Sequence, residues 1–123
     1  MNKDKNPLVL AYIGDSVFDL YIRNYLVSQN IVKVKMLQSE SVKYVSAKAQ
    51  ARFMEILINN NFLTDKELDI FYRARNHKGS RHPKNTDIIT YKISTGFEAV
   101  IGYLYLEKSI QRINEIINYL LEV

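Results

Sequence analysis

Residues 7–27, PLVLAYIGDSVFDLYIRNYLV, decide the fold class. Pro7 suits a first helical turn, and neither proline nor a polar cluster follows it, so the stretch predicts one long helix from Leu8 to about Val27. Gly14 is an interruption that such a helix tolerates. At about 100° per residue, Asp15, Asp19 and Arg23 share one narrow stripe. Val9, Leu10, Ile13, Val17, Phe18, Leu20, Tyr21 and Tyr25 spread around most of the remainder, so the helix is expected to run through the core. Asp15 is then a carboxylate among buried residues and needs a cation, a donor network or a hydrated cleft. A structural pair with a distant arginine or lysine satisfies it as well as a functional partner does. Asp19 and Arg23, four apart, are explained by an exposed ion pair.

Outward from this helix the rhythm stays helical. Residues 33–60 put Met36, Leu37, Val42, Val45, Ala49, Phe53, Ile56 and Leu57 on a buried side, and Ser39, Ser41 and Ser46 suggest a break between two helices. Asn59, Asn60 and Asn61 end the second. Thr64 opens another helix, with Glu67 three positions on as a capping box, followed by Leu68, Ile70, Phe71 and Tyr72. From Asn76 to about Tyr91 the pattern fails, and a loop of that length invites function. The rhythm resumes at Ser94 through FEAVIGYLYLEKS, and a last amphipathic helix spans Ile110 to Leu121. Nothing alternates with period two, so the expected fold is all-α, six or so helices in one domain over residues 1–123.

The chain has 123 residues, 47% of them hydrophobic, which fits one domain with one sizeable core. It has no cysteine, which excludes disulfides, thiolate metal sites and cysteine nucleophiles. Asp15 and Asp19 interrupt the N-terminal apolar run before it reaches membrane-spanning length, so a cytoplasmic protein is expected. The net charge of +4 is ordinary, but its placement is not. Residues 33–52 carry Lys33, Lys35, Lys43, Lys48 and Arg52 against Glu40, and residues 73–92 carry Arg73, Arg75, Lys78, Arg81, Lys84 and Lys92 against Asp87. If the two stretches share a face, that face attracts a polyanion such as nucleic acid; otherwise they are solvated basic helix faces.

Glu98 is the second notable carboxylate. Thr95-Gly-Phe-Glu98 fits a capping box, which would explain it locally. On a helical projection, however, Glu98 shares its face with Gly102 and Tyr105, a side able to approach another helix closely. If that helix carries Asp15, one divalent cation would resolve both carboxylates, and hard oxygen ligands favour Mg²⁺ or Mn²⁺ over zinc. His77 and His82 sit in the basic loop with no cysteine partner, so a zinc site is not expected there. Glycine-rich phosphate loops, nucleophile elbows and HExxH signatures are absent.

Two strings carry a family resemblance: LAYIGDSVFDLYIR, residues 10–23, and TGFEAVIGYLYL, residues 95–106. They resemble the two active-site motifs of the ribonuclease III family, approximately LEFLGDAVL and DxFEAxIGALYLD. With YVSAKAQA (44–51), RARNHK (73–78) and PKNTDIITYKISTGFEA (83–99), nearly the whole chain is similar to the Mini-III branch of that family, the nuclease domain without a separate double-stranded-RNA-binding domain. The resemblance implies a ribonuclease III-type helical fold. It also implies a homodimeric endonuclease for double-stranded RNA, usually large-subunit ribosomal RNA precursor, that leaves 5′-phosphate and 3′-hydroxyl ends. Asp15 matches the aspartate of the GD motif and Glu98 the glutamate of FEA, as ligands of a catalytic Mg²⁺ with Mn²⁺ as a substitute. Larger relatives have two further acids, where this chain has Ala11 and Thr95. RNA contacts are expected from Lys43 and Lys48 and from Arg73, Arg75, Lys78, Arg81 and Lys84. Two other readings compete: a non-catalytic RNA-binding relative, and a helical interaction module that uses the apolar last helix.

Overall fold

Four of the six α-helices start where a side chain replaces a missing backbone partner. In the computed structural model, which describes residues 2–79, 83–84 and 86–122, Asn6 accepts from the Leu8 amide and Pro7 takes the first position of α1, Pro7–Ser28. Ser46 both ends α2, Val34–Val45, and caps α3, Ala47–Asn59, so one serine makes the break that the sequence spread over three. The Thr64–Glu67 capping box opens α4, Asp65–Arg75. Asp87 caps α5, Ile88–Leu106, through the amides of Ile89 and Thr90, and α6 spans Ile110–Leu121. These six α-helices, with a short 3-10 turn at Asn2–Asp4, are all the regular structure among the described residues. None is long and apolar enough to cross a membrane.

Two expectations need correction. The helix through the core is α5, which packs on α1, α3, α4 and α6 and is buried from Ser94 to Leu104 at every position except Glu98. α1 instead buries one stripe, Leu10, Ala11, Gly14, Phe18, Ile22 and Leu26. Val9, Tyr12, Leu20 and Val27 form a second apolar stripe on the opposite, outward side, with Tyr12 77% and Leu20 58% exposed. A helix that is apolar nearly all round therefore meant two separate faces, not central burial. Met36 and Val42, expected on a buried side, are likewise exposed on α2, which has no buried residue.

The second correction concerns the start of α5. It begins at Ile88 rather than Ser94, because the Asp87 cap outweighs the weak helix preference of Ile88, Ile89, Thr90 and Tyr91. Thr95 therefore lies inside the helix, where its hydroxyl donates to the Tyr91 carbonyl at 3.0 Å, and the Thr95–Glu98 capping box does not form.

Glycines let α5 sit so deep. A Cβ on Gly14 would stand 1.7 Å from the Glu98 carbonyl oxygen, and one on Gly102 would stand 1.9 Å from the Leu10 carbonyl oxygen, so α1 and α5 cross backbone against backbone. Gly96 does the same towards α4, where a Cβ would reach 2.5 Å from the Phe71 ring. Around the crossing Phe18 and Phe97 meet edge to face at 5.0 Å, with Phe53 beside both. α6 turns Ile113, Ile116, Ile117 and Leu120 inward, and Arg112 anchors it with 2.8 Å bonds to both Glu67 carboxylate oxygens and 2.7 Å to the Phe62 carbonyl. The apolar face of the last helix is thus used within the chain, which removes the basis for an interaction module built on it.

Candidate active site

Asp15 follows Gly14 directly on α1, and Glu98 lies one helical turn before Gly102 on α5, so the glycine crossing brings the two carboxylates together. They line one cleft of about 290 Å³ with Leu8, Ala11, Tyr12, Gly79, Tyr91 and Thr95. Asp15 is exposed, contrary to the expectation of a buried acid, because it stands on the rim between the two stripes of α1; Glu98 is the half-buried member. Burial pushes the Glu98 carboxyl from an ordinary 4.5 up to about 8. The adjoining Asp15 carboxylate adds to this by charge and by hydrogen bonding, and the Gln50 amide from α3 acts against it.

This has a measurable consequence. The folded chain holds the Glu98 proton up to about 8, whereas the unfolded chain releases it near 4.5. Stability from this group is therefore full below about 4.5 and is lost as pH rises through 8. In chelator, Glu98→Gln should match the parent Tm in acid and exceed it by several degrees at about pH 9. Parallel Tm-against-pH curves for the two proteins would contradict the shift.

The positions of the two acids found in larger relatives also line the cleft, as Ala11 and Thr95, both nearly buried. Ala11 offers no ligand atom, and the Thr95 hydroxyl proton goes to the Tyr91 carbonyl. Among the described residues no group of three or more histidine, cysteine, aspartate or glutamate side chains is placed to hold a metal. The two carboxylates suit a cation that keeps much of its own water, which is the habit of Mg²⁺.

The two basic stretches do meet. Lys48 and Arg52 from α3 and Arg75 from α4 line a separate cleft of about 390 Å³, together with Glu55 and Thr90. Lys43 is exposed on α2 and pairs with Glu40 at 2.7 Å. Arg73 is tied within the chain, to Asp69 at 3.3 Å and to the Lys3 carbonyl. Arg75 lies over the Tyr72 ring at 4.8 Å. Lys78 and Lys84 are exposed in the loop before α5, whose Gly79 reaches the carboxylate cleft. His77, half-buried there, accepts the Gly79 amide at 3.0 Å. Arg81 and His82 lie outside the described residues.

Sequence reasoning missed Gln50 and Tyr91. Gln50 was findable as a polar residue in register with Phe53, Met54 and Leu57 on the inner face of α3; Tyr91 was hidden by the misplaced start of α5.

Comparison with known proteins settles what this crossing belongs to. A model of the ribonuclease III domain matches residues 8–109, which include both carboxylates and both crossing glycines. The chain belongs to the ribonuclease III family. Its relatives in the family include the Mini-ribonuclease 3 of Staphylococcus aureus, 47% identical over 96% of this chain and 88% of that one. That of Streptococcus pneumoniae is 40% identical over 95% and 91%. A crystal structure of a Fusobacterium nucleatum protein superposes with a TM-score of 0.87 at 32% identity, covering 98% of this chain and 96% of that one. As a ribonuclease III family member, the chain is a hydrolase that cuts double-stranded RNA internally.

Proposed function

We propose that Asp15 and Glu98 are the catalytic pair and that they hold a Mg²⁺ ion, with Mn²⁺ as an acceptable substitute. The observation that carries this reading is the meeting of two acids over a backbone crossing, where Glu98 is driven towards its neutral form unless a cation relieves it. When bound, the cation supplies Lewis-acid chemistry, lowering the pKa of water and countering charge on phosphate and leaving oxygen. Glu98 serves in its ionised form and Asp15 reaches solvent from the rim, so one acid anchors the ion and the other faces the incoming strand. Water oxygen bonds to phosphorus as the bond to the 3′ oxygen breaks; the water gives up a proton to solvent and the 3′ oxygen takes one up, leaving a 5′-phosphate and a 3′-hydroxyl.

Duplex RNA, held by shape and backbone, meets Lys43, Lys48, Arg75, Lys78 and Lys84, with Arg81 a further candidate in the same loop. Arg73, bound to Asp69 and Lys3, contributes through the position of α4. The proposed natural substrate is large-subunit ribosomal RNA precursor, in the cytoplasm. It is supported by the similarity to the Mini-ribonuclease 3 proteins. Incubating the protein with structured precursor, with and without Mg²⁺, and mapping the ends tests the whole reading. Binding without cleavage under both Mg²⁺ and Mn²⁺ would favour the non-catalytic alternative.

The working unit is proposed to be a homodimer, each centre cutting one strand. The support is the outward stripe of α1, with Tyr12, Leu20 and Val27 exposed on the helix that carries Asp15. Sedimentation should give a dimer for the parent and a monomer for Leu20→Glu; a parent monomer at all concentrations would remove the proposal.

A further inference from the structure

Gln50 is 1% exposed, on a helix face it shares with Ala49, Phe53, Met54 and Leu57. Its Nε2 completes no hydrogen bond of good geometry among the described residues. Native cores rarely leave such a donor unanswered, because its lost hydration is not recovered. What its amide does face is Glu98, whose carboxylate form it favours across the packed α3–α5 interface. The residue is therefore a polar group buried at a cost and aimed at one acid of the cleft from behind.

Resting on the reading that Asp15 and Glu98 hold the ion, we infer that Gln50 is the positioning residue of this centre: its Nε2 donates to one Glu98 carboxylate oxygen and turns the other towards Asp15 and the ion. The side-chain type fits the task. A lysine or arginine at this place would neutralise Glu98 and compete with the cation, and an acid would repel it. An amide donates without adding charge, and glutamine has the length to cross from α3 to α5. In the cleft Ala11 and Thr95 leave Glu98 with Asp15 as its acidic neighbour, so a support from the core carries its orientation.

Mn²⁺ binding by calorimetry and the Mn²⁺-induced rise in Tm provide the test, on the full chain, with Tm in chelator as the measure of folding. Gln50→Met keeps the shape and removes the donor. It should leave the chelator Tm unchanged or raised, weaken Mn²⁺ affinity roughly tenfold or more, and shrink the Mn²⁺-induced rise accordingly. A purely structural glutamine predicts the reverse, a lowered chelator Tm with Mn²⁺ affinity intact, and that result overturns the inference. Should the methionine variant fail to fold, Gln50→Asn keeps the amide but draws it back by one methylene. It should show the same weakening, and undiminished Mn²⁺ affinity in it overturns the inference too. Glu98→Gln run alongside separates the two claims. Loss of Mn²⁺ binding there with none in the Gln50 variants defeats only the role of Gln50, whereas wild-type Mn²⁺ binding in Glu98→Gln defeats the carboxylate pair itself.

Discussion

Asp15→Asn and Glu98→Gln are each expected to reduce Mg²⁺-dependent cleavage of duplex RNA by on the order of 10³-fold or more, which corresponds to at least about 4 kcal/mol of transition-state stabilisation. The substitutions keep size and hydrogen-bonding capacity and remove one negative charge. The effect should be this large because among the described residues no third acid lines the cleft: Ala11 has no side-chain oxygen to offer and Thr95 is bonded back to Tyr91. Folding should survive both changes. Asp15 is exposed, and Glu98 is already driven towards its neutral state by burial and by Asp15, so a neutral amide there relieves the fold. Gel-based cleavage of a defined duplex, with unfolding measured in the same buffer, checks both halves. A variant that cuts at the parent rate would end the assignment.

Gly14→Ala is expected to produce the largest loss of stability available from one methyl group in this chain, about 3 kcal/mol or more from a total of about 5–15. On an ordinary exposed helix the same change would stabilise by roughly 1 kcal/mol. The sign reverses here because the added carbon would lie 1.7 Å from a main-chain oxygen of Glu98, and main chain cannot swing aside as a side chain does. Gly102→Ala meets the Leu10 carbonyl at 1.9 Å and should behave alike. Urea denaturation gives the comparison, and a midpoint at or above the parent value in either variant would show that the helices do not touch. A variant that retains enough fold to assay should also lose cleavage, since parting the helices parts Asp15 from Glu98.

The all-helical class was legible in the sequence because the long runs follow helical period and the caps at Thr64 and the break at Ser46 use residues whose chemistry is local. Local chemistry also misled. Thr95 and Glu98 have the spacing of a capping box, but a stronger cap at Asp87 starts the helix at Ile88, ahead of Ser94. The apolar wealth of α1 was read as central burial, because a projection of one helix shows which residues share a side and says nothing of what covers it. The carboxylate pair was legible through its two motifs and through Gly102, whose small size anticipated a close neighbour. Gln50 was not, since a single glutamine among apolar residues has no signature until the helix opposite it is known. The exposure of Asp15 was hidden by the same error that placed α1 in the core.

The backbone contact between α1 and α5 has an implication for how this protein tolerates change. Where two helices are spaced by side chains, swapping a leucine for a methionine shifts the axes, and anything mounted on both shifts with them. Here the spacing is set by main-chain atoms at Gly14 and Gly102. Side chains beside the crossing, such as Phe18 and Phe97, are therefore free to drift in identity over generations, altering how tightly the protein holds together while the gap between its two acids stays the same.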